Sequence, residues 1–190
     1  MRIIAGKYRS RKLHAPPADM ELRPTSDRLR ETLFNVVAPR TPDSVWLDLF
    51  SGTGAVGIEA LSRGARFVYF VETDKKAVRV IRRNFEELGI MENFELIQGD
   101  AIQALKSLEE QKLECDMVFV DPPYKSHGAY QQVLGYLAGS GMVREKSVVI
   151  AEHDKHYDPG AKFGRLERFR ELKQGDAVLS FYRLSSGAGD

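Results

Sequence analysis

Cysteine occurs once in this sequence, as Cys115, and histidine four times. A single thiol excludes an internal disulfide framework and a cysteine-cluster metal site. The histidines form neither an HExxH motif nor a close His/Cys group, so no metal is expected. Cys115 sits in "ECDMVFVD", beside an expected buried strand, and reads as a small core residue. No apolar run approaches the roughly 20 residues that a bilayer-spanning helix needs. The N-terminus lacks the sustained apolar segment of a signal peptide. The expectation is a cytoplasmic chain with no membrane partner. Net charge is nearly absent too: 28 Lys/Arg against 27 Asp/Glu leaves +1.

That balance hides an uneven distribution. Residues 1–30 hold eight Lys/Arg and three Asp/Glu, a balance of +5, and the remainder holds 20 and 24, a balance of −4. A basic arm on a near-neutral body suits a nucleic-acid-facing surface, although a solvated terminus has the same charge. The 190 residues, 43% apolar and 29% charged, suit one domain with a small appendage.

Along the chain, "MRIIAGKYRSRKL" predicts a short hairpin about Gly6, and "APPAD" a connector. "RPTSDRLRETLFNVVAP" predicts a helix capped by Thr25 or Ser26, with Leu29, Leu33 and Val36 on one face and Pro39 ending it. Phe34 is expected in the core. Strands and helices then alternate. Strands are expected at 45–50, 66–72, 93–99, 115–121 and 147–154, and helices at 54–64, 75–89, 101–110 and 127–138. Val/Ile-rich strands in this rhythm predict parallel strands covered by right-handed crossovers. "FGRLERFREL" and "DAVLSFYRL" flank "KQGD" and predict a closing antiparallel hairpin.

Two loops carry the chemistry. "DLFSGTGAVG" runs from the first strand into a helix and contains Asp48, Phe50, Ser51, Gly52, Thr53 and Gly54. Glycines there permit tight turns and close ligand approach. The spacing Gly52-x-Gly54-x-x-Gly57 also matches a dinucleotide fingerprint. Glu72, with Thr73 beside it, follows 20 residues after Gly52 and suits the hydroxyls of a ribose. Asp74 suits the cap of the next helix. Asp100 and Ala101 suit an adenine contact, although Asp100 also suits a helix cap. These residues predict a nucleoside cofactor without naming it. The second loop is Asp121-Pro122-Pro123-Tyr124. Its prolines stiffen a corner at the strand end. Asp121 and the Pro122 carbonyl are two nearby acceptors and Tyr124 is a planar face. That set suits an exocyclic base amine, whose hydrogens it holds and whose base it stacks.

With "RIIAGKYRSRKL", "RPTSDRLRETLFN", "VETDKKA" and "GDA", these motifs resemble class I, Rossmann-like S-adenosylmethionine methyltransferases with a (D/N)PPY signature. More narrowly, the chain resembles the bacterial guanine-N2 methyltransferases of 16S ribosomal RNA, over roughly 1–184. The resemblance implies an α/β fold with a seven-stranded, mostly parallel sheet whose last strand is antiparallel, plus an N-terminal β-hairpin. It implies an rRNA-contacting extension at 1–40 and a cofactor-binding domain at 41–184; the final "SSGAGD", 185–190, reads as a disordered tail. It implies S-adenosyl-L-methionine as cofactor and 16S rRNA, or the assembling small subunit, as partner; a monomer is the default expectation. Gly52, Gly54, Glu72, Asp100 and Ala101 match the cofactor site, and Asp121, Pro122 and Tyr124 the catalytic loop. Arg2, Lys7, Arg9, Arg11, Lys12, Arg23, Thr25, Arg28, Asn35 and Pro123 become substrate-contact candidates. Three rivals stay open: an adenine-N6 methyltransferase, an NAD-dependent oxidoreductase that leaves DPPY unused, and a non-enzymatic RNA-binding protein that leaves the cofactor loop unused.

Overall fold

The structure, a computed structural model, describes residues 1–15, 25–123 and 126–185. Arg23 and Tyr124 lie outside the described residues, as do most of the "APPAD" connector and positions 186–190 of the expected tail. The chain divides into two compact units, Met1–Ala101 and Ile102–Asp190.

In the first unit, helix α1 (Asp27–Val37) starts at Ser26, whose hydroxyl accepts the Leu29 N–H. Its buried face is Leu29, Leu33, Phe34 and Val37 rather than one through Val36, and it also takes in Arg30. The turn Ala38–Arg40, with Pro39 in its first turn, ends the run. Strand β1 (Val45–Leu49) is buried throughout. It pairs in parallel with β2 (Phe67–Glu72), which pairs in parallel with β3 (Phe94–Gln98). Helix α2 (Ala55–Ser62) lies against β2 because residue 57 has no side chain. A Cβ on Gly57 would stand 2.2 Å from a Phe70 ring carbon. Helix α3 (Lys75–Leu88) is capped by Asp74, which accepts the Lys76 and Ala77 N–H groups. It buries Ala77, Val78, Ile81, Phe85 and Leu88, the face expected from its spacing, together with Asn84. Each large apolar side chain buried in this way contributes roughly 1.5–3 kcal/mol.

Helix α4 (Ala101–Glu110) starts at the last residue of the first unit and, in the second, leads to β4 (Cys115–Val120). Burial pushes the Cys115 thiol up to about 12, which fits an inert core residue. Helix α5 (His127–Gly139) follows, then β5 (Val143–Asp154), parallel to β4. Strand β5 begins four residues earlier than the sequence suggests, because Val143 pairs with Cys115 across an irregularity in register. The closing hairpin is β7 (Leu166–Gln174) and β8 (Ala177–Leu184), and β8 lies antiparallel to β5 as expected. An eighth strand, β6 (Lys162–Phe163), pairs with β7. The sheet thus has one strand more than the seven that the resemblance implies, and two residues are too few for a periodic signal. Strand order is β3-β2-β1 in the first unit and β4-β5-β8-β7-β6 in the second.

The N-terminal arm is a looser hairpin than its sequence suggests. One isolated antiparallel bridge, Arg2 to Lys12, closes it. Backbone bonds from Ile3 N–H to the Arg11 carbonyl, Ser10 N–H to the Ile3 carbonyl and Leu13 N–H to the Met1 carbonyl support the bridge, while the stretch from Ile4 to Tyr8 turns to α2. Glu59, fully buried, accepts the Ile4 and Ala5 N–H groups at 2.8 and 3.0 Å and the Arg63 guanidinium at 2.7 Å. Ser62 accepts the Lys7 N–H on its carbonyl and the Tyr8 N–H on its hydroxyl. Gly6 is required at this crossing: its φ is +83°, and a Cβ would fall 1.8 Å from the Ser62 carbonyl oxygen.

Candidate functional site

Parallel pairing brings the carboxyl ends of β1, β2 and β3 to one edge. Leu49 lies beside Val71, Glu72 beside Gln98, and Gly99 N–H donates to the Glu72 carbonyl. The glycine loop, Glu72 with Thr73, and Asp100 with Ala101 therefore emerge together, where open α/β sheets bind ligands.

The loop winds tightly. Phe50, Gly52 and Gly54 all have positive φ, at 61°, 56° and 75°. Phe50 takes this conformation without being glycine, a strained choice for an L-residue. Its neighbours fix it. Ser51 donates its hydroxyl to the Asp48 carbonyl at 2.6 Å and accepts the Val71 N–H at 3.0 Å. The Gly52 N–H donates to Glu72 Oε2 at 2.8 Å, and the Asp74 N–H to Glu72 Oε1 at 2.8 Å. One carboxylate thus joins the glycine loop to the end of β2, and its Oε1 also accepts the Thr73 hydroxyl at 3.5 Å; of the roughly four acceptor positions of a carboxylate, one on Oε2 is left for a hydroxyl donor. The space beside Gly52 is open: a Cβ there would meet nothing closer than the Phe50 carbonyl oxygen at 4.0 Å.

The expected cofactor residues fall into two sets. Asp48, Ser51, Thr53, Gly54, Glu72 and Ala101 are buried, whereas Thr73 and Asp100 are exposed and Phe50 and Gly52 partly so. Asp48 is 2% exposed, and its Oδ2 accepts the Gly57 N–H at 3.0 Å. It braces the first turn of α2 from behind. Burial pushes its carboxyl up to about 7. The Gly57 N–H opposes that shift and the nearby Glu72 carboxylate adds to it.

Asn84 carries no obvious chemistry in the sequence, yet it reaches this loop. Its side chain is 1% exposed. Nδ2 donates to the Thr53 carbonyl at 3.0 Å and Oδ1 accepts the His14 N–H at 2.8 Å. A single buried amide ties the glycine loop to the end of the basic arm. Met1 Sδ also lies 3.9 Å from the Thr53 hydroxyl.

Of the substrate candidates, Arg2, Arg9 and Arg28 converge on one cleft of about 440 Å³ between the arm and α1, with Asp27 and Glu31 in its wall. Arg11 turns away and donates to the Glu87 carbonyl at 2.6 Å, so it anchors the arm to α3. Lys7 lies over the Tyr8 ring at 5.2 Å. Lys12 and Asn35 are exposed, and Thr25 is buried.

In the second unit β4 ends at Val120, and Asp121-Pro122-Pro123 turns away from it. Asp121 is half-buried, Pro122 buried and Pro123 exposed. The Pro123 carbonyl accepts the Ser126 N–H at 2.7 Å, which returns the chain into α5. Among the described residues, no group of three or more His, Cys, Asp or Glu side chains could hold a metal ion. No helix among them is long and apolar enough to cross a membrane.

A family model described as "Conserved hypothetical protein 95" matches residues 1–183. The "Ribosomal RNA small subunit methyltransferase D" of Escherichia coli K12 is 35% identical over 191 residues, covering 100% of this chain and 93% of its own. The Haemophilus influenzae protein of the same name is 38% identical over 157 residues, covering 82% of this chain and 79% of its own. A solved Escherichia coli chain, yhhF, aligns with a TM-score of 0.83 at 30% identity, covering 98% of this chain and 99% of that one. The chain therefore belongs to the family described as "Conserved hypothetical protein 95", and it is similar to the small-subunit ribosomal RNA methyltransferases D over 79% and 93% of their own lengths.

Proposed function

We propose that this chain transfers a methyl group from S-adenosylmethionine to the exocyclic N2 amine of a guanine in 16S rRNA of the small ribosomal subunit. The observation that carries the reading is the Asp121-Pro122-Pro123 corner closing β4, in a chain that also folds a glycine loop onto the carboxylate of Glu72. An oxidoreductase needs no such corner, and a passive RNA-binding protein needs neither feature.

The residues present fit the cofactor. The open backbone at Gly52 admits a ligand at van der Waals distance, Glu72 retains an acceptor position for a ribose hydroxyl, and Asp100 and Ala101 stand at the same edge for the adenine. The cofactor supplies an electrophilic methyl group on a sulfonium. The rest of the work belongs to the protein. An exocyclic amine is a poor nucleophile because its lone pair is delocalised into the ring. Asp121 and the Pro122 carbonyl accept its two hydrogens and favour a pyramidal nitrogen. Asp121 takes the proton that the nitrogen loses as it gains the methyl. The prolines hold both acceptors still, so orientation is set before reaction. Tyr124 stacks on the base. Arg2, Arg9 and Arg28 meet phosphates, positioning the RNA without reading its sequence. The relatives' names support ribosomal RNA of the small subunit as the substrate class.

The test incubates the protein with labelled S-adenosylmethionine and either unmethylated small-subunit particles or naked 16S rRNA, followed by nucleoside mass spectrometry. N2-methylguanosine is expected. Label found only in N6-methyladenosine would overturn the guanine assignment, and no label in any nucleic acid from intact protein would overturn methyl transfer itself.

A further inference from the structure

Beyond the corner, α5 opens with a feature that neither the motifs nor the proposed chemistry uses. His127 is exposed at the first position of α5. Its imidazole lies flat on the Tyr157 ring, with centroids 3.9 Å apart and planes 7° from parallel. Tyr157 is backed in turn by Tyr130 at 5.3 Å and by the edge of His153 at 6.4 Å. Among the described residues Tyr157 is the one ring that His127 meets, so the outer face of the stack belongs to His127.

This stack is rigidly held. The Tyr157 hydroxyl donates to the His127 carbonyl at 3.1 Å, Gln131 Nε2 donates to the Pro159 carbonyl at 2.7 Å, and the Tyr130 hydroxyl donates to the Glu152 carbonyl at 2.6 Å. Three bonds thus fasten the end of β5 and the loop after it to α5. The stack is also tied to the corner. Ser126, which precedes His127, donates its N–H to the Pro123 carbonyl, and its own carbonyl accepts the Ala129 N–H. His127 therefore follows Pro123 by four positions in the sequence, directly after the residue that bonds to it.

We infer that His127 and Tyr157 form a stacking platform for an unpaired RNA base next to the target nucleotide. Proteins that hold single-stranded RNA stack its bases on aromatic or histidine rings, tolerant of sequence because every base has a π-face. A ring already oriented loses little freedom when a base lands on it. An unpaired base fits better than a protein side chain, because the wall is planar, polar at its edge and follows closely in sequence on the corner to which the amine is assigned. The inference rests on the proposed RNA-directed activity and assigns a place for the flanking strand, not for the reacting base.

The test compares His127→Ala, His127→Phe and Tyr157→Phe with the wild type. The readouts are KM and kcat on unmethylated small-subunit particles, anisotropy of a short fluorescein-labelled single-stranded RNA containing guanine, calorimetric affinity for S-adenosylhomocysteine, and melting temperature. His127→Ala should raise KM and weaken the labelled RNA at least about fivefold, the low end of what one base stack contributes, with S-adenosylhomocysteine affinity and melting temperature unchanged. His127→Phe, which keeps a ring, should restore both RNA readouts. Tyr157→Phe, which frees the His127 carbonyl from its hydroxyl partner, should fall between. Wild-type KM and RNA affinity in His127→Ala would overturn the platform, as would loss in His127→Ala that His127→Phe fails to restore. If the wild type methylates nothing while His127→Ala still weakens the labelled RNA, the methyl-transfer reading fails and the platform stands.

Discussion

Replacing Asp48 by Asn should change the pH dependence of folding in a way that the loop geometry dictates. Asp48 is 2% exposed and has a carboxyl pushed up to about 7, mainly by burial. Between the ordinary value of 3.8 and about 7, the native protein holds a proton that the unfolded chain has released. Stability conferred by the neutral carboxyl is therefore complete below pH 3.8, falls as pH rises through that window, and levels off above about 7. The window spans about three pH units at 1.36 kcal/mol each, which bounds the loss at roughly 4 kcal/mol. Asn cannot ionise, yet its carbonyl can still accept the Gly57 N–H. Asp48→Asn should match the wild type near pH 4 and exceed it progressively toward pH 8, by up to that amount. The assay is urea denaturation at several pH values, compared as the difference between the two proteins so that other carboxylates cancel. A difference that stays constant from pH 4 to pH 8 would refute the reasoning, and one that shrinks with rising pH would reverse its sign.

Other perturbations probe the frame around the loop. Glu59→Ala removes the acceptor of two arm N–H groups and the partner of Arg63; breaking such a buried pair costs about 3–5 kcal/mol, and limited proteolysis should then cut within residues 1–15, whereas an intact arm would contradict the clamp. Asn84→Ala deletes the bonds to the Thr53 carbonyl and the His14 N–H. S-adenosylhomocysteine affinity should fall by about tenfold, the equivalent of one net hydrogen bond, and an unchanged calorimetric Kd would show that the loop stands without it.

Much of the architecture was legible because the physics behind it is local. The α3 stripe of Ala77, Val78, Ile81, Phe85 and Leu88 follows helical spacing, and all five are buried. Asp74 and Ser26 cap the helices that their positions suggest. The glycine loop and the DPP corner follow their strands as the motifs require. What escaped depends on distant partners. Arg30 is fully buried at the arm, where it donates to the Arg2 carbonyl and pairs with Asp27, and no periodic rule places a guanidinium in a core. Glu59 and Asn84 left a faint signal. Glu59 is the one charge in the short helix "AVGIEALS", and Asn84 is a polar residue on the apolar stripe of α3, three positions after Ile81. Both anomalies turn out to be points at which the arm is fastened to α2 and α3 beside the glycine loop. The two-residue β6 had no signal, since its pairing with β7 exists only once the hairpin has formed.

The central claim assigns Asp121 to the target amine rather than to the cofactor. It is tested most directly by measuring single-turnover methylation and S-adenosylhomocysteine affinity side by side in Asp121→Ala. Loss of a positioned proton acceptor should slow the chemical step by about 10²–10⁴-fold, while the calorimetric Kd changes by less than about threefold, below 0.7 kcal/mol. A folded variant that loses cofactor affinity as severely as it loses rate would contradict the claim.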